Sequence, residues 1–107
     1  MAGRSTTQIG RLRLVRLVWT RSATINRNRI REYIAQEDLA AALALDELFS
    51  KRAVLLVKHY GVGRPGRIAG TRELVIHPNY IMIYEVIGGT VRILRLLHAA
   101  RQWPPRR

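Results

Sequence analysis

The alternation of apolar and polar positions divides the chain into one strand, two helices and three further strands. Leu12 to Thr20 contains Leu14, Val15, Leu17, Val18 and Trp19, a β-branched and aromatic run that predicts a first strand. Ser22 is a candidate N-cap for a first helix, in which Ile30, Tyr33 and Ile34 recur at i, i+3, i+4 while Arg27, Arg31 and Glu32 take the other side. That helix is expected to end near Gln36. Asp38 offers a second cap, and the Ala-rich run from Ala40 to Ala44 has high helix propensity. Ala42, Leu45, Phe49, Ala53, Leu56 and Tyr60 continue it as a stripe of period near 3.6, which predicts a helix of about six turns. Two helices so closely joined form an antiparallel hairpin.

Gly61-Val62-Gly63-Arg64-Pro65-Gly66 stops the second helix and is expected to form the main loop, presenting Arg64 and Arg67. The segment has the letters of a G-x-G-x-x-G dinucleotide motif. That motif needs a strand before the glycines and a helix after them, and here the order is reversed. Strands are expected at Thr71–Ile76, Tyr80–Ile87 and Val91–Leu97, joined by connections short enough to impose antiparallel hairpins. In the central one Tyr80, Met82, Tyr84 and Val86 share one face, and Ile81, Ile83, Glu85 and Ile87 the other, which suits an interior position. Prolines 104 and 105 end any regular strand. The order β-α-α-β-β-β is that of an α+β fold, an antiparallel sheet with a helical hairpin packed on one face.

Length and charge narrow this further. A chain of 107 residues is one domain. Residues 1–11 are expected to be a flexible basic arm, 12–104 the domain and 105–107 a basic tail. Nineteen Lys and Arg oppose seven Asp and Glu, giving a net charge of +12, and all the basic residues but Lys51 and Lys58 are Arg. Residues 1–31 carry eight Arg, and residues 86–107 five, with no acid in either stretch. Such a field attracts polyanions or an acidic partner, and Arg favours bidentate contacts to phosphate or carboxylate.

No cysteine is present, which removes disulfides, thiolate metal sites and cysteine nucleophiles. Arg11, Arg13 and Arg16 interrupt the only apolar N-terminal stretch, so neither a signal peptide nor a membrane span is expected, and the protein is expected in the cytoplasm. No cofactor motif survives. The histidines, His59, His77 and His98, lack metal-ligand spacing, so no metal is expected. Tyr80 and Tyr84 read as core or groove wall. Arg95 interrupts an apolar strand and is therefore expected near an edge or beneath an acidic partner.

Four segments together resemble a known family: Gly63-Arg64-Pro65-Gly66-Arg67, Gly70-Thr71-Arg72-Glu73-Leu74-Val75, Tyr80 through Val86, and Val91 through Pro104, closing on His98-x-x-Arg101-x-Trp103-Pro104. With Trp19–Ala44 they are similar to the RelE/ParE superfamily of type II toxins, in the ParE-like or plasmid-stabilisation branch. The resemblance implies a toxin silenced by a cognate antitoxin with an acidic C-terminal segment, in a hetero-oligomer. It leaves two targets: DNA gyrase, inhibited without nuclease chemistry, or mRNA cut in the ribosome.

RNA cleavage needs a group to activate the 2′-hydroxyl, cations for the phosphorane and an acid for the leaving oxygen. Arg72 and Arg101 match the basic positions of the nuclease branch, and His98 is a candidate acid or base. Glu73, beside Arg72, is a further candidate. Leu74 and Ile81 stand where those nucleases carry further basic residues, and Arg107 or its neighbours replace a C-terminal tyrosine. Apolar side chains cannot supply missing cations, so the pattern tilts toward gyrase. Arg64, Arg67, Arg92, Arg95 and Trp103 are then candidate contacts to target or antitoxin. A nucleic-acid-binding module without toxicity is a third reading, which predicts steeply salt-dependent binding.

Overall fold

A computed structural model describes residues 16–100 of the chain. The expected arm (1–11) and basic tail, with Arg101 and Trp103, lie outside the described residues. The elements follow the expected order: β1 (Arg16–Trp19), α1 (Arg21–Ala35), α2 (Leu39–Lys58), β2 (Arg64–Pro65), β3 (Arg72–His77), β4 (Tyr80–Ile87) and β5 (Thr90–His98).

They make a five-stranded sheet in the order β1-β5-β4-β3-β2. The meander β3-β4-β5 is antiparallel. At the β4–β5 turn, Gly88 and Gly89 take φ of 55° and 78°, which a two-residue hairpin with the twist of its strands requires. Two features depart from expectation. First, β1 runs parallel to β5, Arg16 opposite Thr90 and Trp19 opposite Ile93, so the sheet is mixed. The meander has two edges: the two-residue β2, inside the expected loop, pairs with Arg72 and Glu73 on one, and β1 returns through the helical hairpin to the other. Second, Thr20 rather than Ser22 caps α1. Its backbone is extended, its hydroxyl accepts the Ala23 N–H at 3.1 Å, and Ser22 already lies in the first turn.

The hairpin covers one face of the sheet. Phe49, Ala53 and Leu56 of α2 are buried against Tyr80, Met82 and Tyr84 of β4 and Val91, Ile93 and Leu96 of β5, and Ala42 of α2 is buried as well. Phe49 meets Tyr80 edge to face at 5.9 Å. The stripe read from the sequence is this face, except that Tyr60 lies past the helix end and is half exposed. A second link ties the helices to each other and to β1: Arg27 bonds the Asp46 carboxylate at 2.7 and 3.1 Å, and its guanidinium lies 4.7 Å from the centroid of the Trp19 ring. The Arg27 hydrogen bond, helped by the charges of Arg27 and Arg31, holds the Asp46 carboxyl below the usual aspartate value, against the opposing effect of burial.

Candidate functional site

The residues of chemical interest fall into three places. At the loop end of the sheet, the Tyr84 hydroxyl is buried, accepts the Gly63 N–H at 2.9 Å and donates to the Tyr60 carbonyl at 2.7 Å. Burial pushes this phenol above its ordinary value, against the lowering effects of the Gly63 bond and the Arg72 charge. Arg72 Nη1 donates to the Gly63 carbonyl at 2.6 Å, so its guanidinium is engaged by the loop backbone. Glu73 keeps only 3% of its surface exposed, and its carboxylate accepts Arg64 Nη2 at 3.1 Å and the Arg67 backbone N–H at 3.2 Å. The basic loop is therefore latched to a buried carboxylate, and Arg64 and Arg67 share its charge.

The second place is the sheet face turned away from the helices. The β4–β5 register shifts between Ile83 and Tyr84, where Leu94 is the extra residue of a bulge. Without that bulge Arg95 would point with Val91 and Ile93 into the core. With it, Arg95 stands opposite Ile83 on the same face as Arg92, whose guanidinium is paired with Glu85. The bulge is held from α1: Thr20 donates its hydroxyl to the Leu94 carbonyl at 3.1 Å, and Asn26 accepts the Leu96 N–H at 3.1 Å. The strand carrying Arg95 is interior as far as Ile93, beyond which α1 takes over from β1.

The third place is a cleft of about 800 Å³ at the opposite end, between the hairpin and the ends of β4 and β5. Asn26, Arg29, Ile30 and Tyr33 of α1 form one wall, and Ala41, Ala44, Leu45 and Leu48 of α2 another. Its mouth holds Tyr80 between two imidazoles, with centroids 6.1 Å from His77 and 5.3 Å from His98. Each imidazole closes a turn: His77 Nδ1 accepts the Asn79 N–H, and His98 Nδ1 the Ala100 N–H, both at 3.1 Å. Burial raises the Tyr80 phenol above its ordinary value, and the neighbouring Tyr33 adds to this.

Of the candidate nuclease residues that are described, Arg72 and His98 are not brought together. Arg72 is opposite Tyr84 and His98 opposite Tyr80, so they are separated by four residues along β4, on the order of 13 Å, with β4 itself between their strands. The candidate contacts Arg64 and Arg67 group at the loop, and Arg92 and Arg95 on the open face. The cleft, which His77 helps to line, is not evident from the metal-ligand spacing by which the histidines were judged. Its signal was present in the i, i+3, i+7 spacing of Asn26, Arg29 and Tyr33 and in the Ala41–Ala44 pair. Among the described residues no group of three or more His, Asp and Glu is placed to hold a metal ion, and no helix is long and apolar enough to cross a membrane.

Residues 17–103 match the family model described as the ParE toxin of the type II toxin–antitoxin system parDE. The chain is 36% identical to toxin RelE2 of Caulobacter vibrioides over 82% of its own length and 99% of that protein's. It is 38% identical to Y4kP of Sinorhizobium fredii, described as a candidate toxin, over 83% of its own length and 93% of that protein's. In fold it is similar to a chain of the chromosomal ParDE system of Pseudomonas aeruginosa, with a TM-score of 0.72 at 24% identity, over 80% of this chain and 97% of that one. A chain of the DinJ–YafQ toxin–antitoxin complex of Escherichia coli follows at a TM-score of 0.58 and 14% identity, over 81% and 94% of the two chains. The chain thus belongs to the ParE toxin family of type II toxin–antitoxin systems, within the RelE/ParE superfamily.

Proposed function

We propose that the protein is the toxin of a type II pair, silenced by an acidic antitoxin, and that it inhibits DNA gyrase without cutting RNA. The observation that carries this reading is the disposition of the candidate catalytic groups. Phosphoryl cleavage needs cations and a proton donor converging within hydrogen-bond reach of one phosphate. Arg72 is committed to loop carbonyls, His98 lies far along the sheet, and Leu74 and Ile81 are apolar at positions where the resemblance to the nuclease branch implies basic residues. What remains is a rigid basic surface suited to binding another macromolecule: the loop latched by Glu73, and Arg92 and Arg95 on the open face.

The alternative is a ribosome-dependent endoribonuclease using Arg72, Arg101 and His98. Purified, antitoxin-free protein separates the two. Under the proposal it stops supercoiling by gyrase and leaves mRNA in a translation mixture intact. Codon-positioned cuts with unaffected supercoiling would establish the alternative.

A further inference from the structure

Glu73 holds two arginines where one would balance its charge. Between Leu48 and Tyr84 the sequence carries six Lys or Arg, and Glu73 is the single acid among them. Its carboxylate is buried and offers nothing to a partner, whereas Arg64 and Arg67 keep 55% and 53% of their side chains exposed. Both guanidinia lie within 3.9 Å of its oxygens, so one negative charge is shared between two positive ones. A net positive charge is thereby fixed at the surface, with Arg72 beside it on the Gly61 and Gly63 carbonyls.

The pair is held in orientation as well as in place. Arg64 meets Glu73 Oε1 with its Nε–Nη2 edge, at 3.3 and 3.1 Å. The Nη1–Nη2 edge of the same fork is turned away from the carboxylate, and its geometry suits two oxygens of one phosphate. Three bonds brace the loop beneath: Gly63 N–H to the Tyr84 hydroxyl, Gly66 N–H to the Thr71 carbonyl at 2.8 Å, and Arg67 N–H to Glu73. An arginine on a loose loop gives up rotamer freedom when it binds. Here the fold has removed that freedom beforehand.

We propose that Arg64 and Arg67 clamp the phosphodiester backbone of duplex DNA, with Glu73 as their positioning residue, and that the toxin therefore meets gyrase on its DNA. The part played in inhibition rests on the gyrase reading above; the contact with DNA needs no gyrase. Charge complementarity selects the occupant, since a duplex carries one negative charge per roughly 1.7 Å of its axis in a regular array that a rigid pair of cations can match. Gly61 to Gly70 contains only Gly, Val, Arg, Pro, Ile and Ala, with no amide or hydroxyl side chain to read a base edge. The contact is accordingly one of backbone position, indifferent to sequence.

Fluorescence anisotropy of a short labelled duplex, titrated with the antitoxin-free full-length chain at increasing salt and without gyrase, tests the clamp. Duplexes of unrelated sequence should bind alike. Arg64→Gln with Arg67→Gln removes two phosphate contacts, so the slope of log affinity on log salt should become shallower by roughly 1.8. Arg21→Gln with Arg29→Gln takes the same charge from α1 and should change the slope by less than half as much. Glu73→Gln adds a positive charge to the protein but releases the pair; it should weaken binding at least threefold, where attraction by bulk charge would strengthen it. If Glu73→Gln does not fold, as thermal melts will show, the two double variants, all at exposed positions, decide alone. Equal slope changes in the two double variants, tighter binding by Glu73→Gln, or no binding of the duplex at low salt overturns the inference and leaves gyrase inhibition to be judged by supercoiling. Tighter binding of single-stranded RNA of the same length overturns it in favour of an RNA partner. Supercoiling blocked as strongly by Arg64→Gln with Arg67→Gln as by wild type also overturns it, because the loop then has no part in inhibition. Supercoiling untouched by wild type, with DNA binding as expected, overturns the gyrase reading and supports the DNA contact.

Discussion

The Tyr84 hydroxyl is the point at which the loop joins the core, and its removal has a magnitude that the structure fixes. Tyr84→Phe keeps the ring packed among Leu56, Met82 and Ile93, all of them buried, and deletes one oxygen. That oxygen serves two backbone groups, at 2.9 and 2.7 Å. Gly63 is buried, so its N–H loses its partner without gaining water, at a cost of about 1–3 kcal/mol. The Tyr60 carbonyl, at an exposed residue, rehydrates and adds little. A net loss of about 2 kcal/mol lowers Tm by roughly 10 °C in a domain of this size. Thermal melts followed by circular dichroism measure the shift, and hydrogen exchange at Gly63 shows whether the loop is what opens. A Tm within about 2 °C of wild type, with Gly63 still protected, would mean that the hydroxyl does not anchor the loop.

Other perturbations address the remaining supports. Gly66→Ala places a methyl 2.1 Å from Thr71 Oγ1 and 3.0 Å from the Thr71 carbonyl; urea unfolding should show a loss of about 1–3 kcal/mol as loop and strand are forced apart. Asp46→Asn breaks the bidentate pair with Arg27 and should cost about 2 kcal/mol at neutral pH. Because the folded carboxyl lies below 3.8, the stabilisation is fully present above that value and fades as the pH falls through the lower folded value. Chemical unfolding of both proteins across the acid range should therefore show the difference closing. Tyr80 and Tyr84 act at the other extreme. Both folded phenols lie above the ordinary 10.0, so above about pH 10 the unfolded chain releases protons that the folded one retains, and stability should fall as pH rises further. Tyr84→Phe, lacking one of the two, should show a shallower alkaline decline.

Local periodicity carried most of the fold. The α2 stripe and the Tyr80-Met82-Tyr84 face are repetitive enough that their burial follows from spacing alone, and the order of elements follows from the turns between them. What spacing could not carry was anything set by contacts distant in the chain. The parallel pairing of β1 with β5 spans more than 70 residues, and no local signal distinguishes it from an antiparallel one. The orientation of Arg95 depends on the bulge at Leu94, which is held by Thr20 and Asn26 from another element. Strict alternation would have put a guanidinium among Val91 and Ile93. Thr20 follows a β-branched run and reads locally as a strand end, because its capping role depends on where the helix axis begins. The candidate site shows the same division. The basic residues were legible as residues, but the buried Glu73 that latches the loop and the cleft beside His77 and His98 exist only once the strands are in register.

If the protein inhibits gyrase by binding and not through nuclease chemistry, as proposed, the effect is visible in gyrase supercoiling of relaxed plasmid with increasing amounts of antitoxin-free wild-type protein and of His98→Ala, with mRNA integrity followed in a parallel translation mixture. Both proteins should block supercoiling over the same concentration range, and neither should cut mRNA. Supercoiling untouched at every concentration, with mRNA cuts that disappear in His98→Ala, would contradict it.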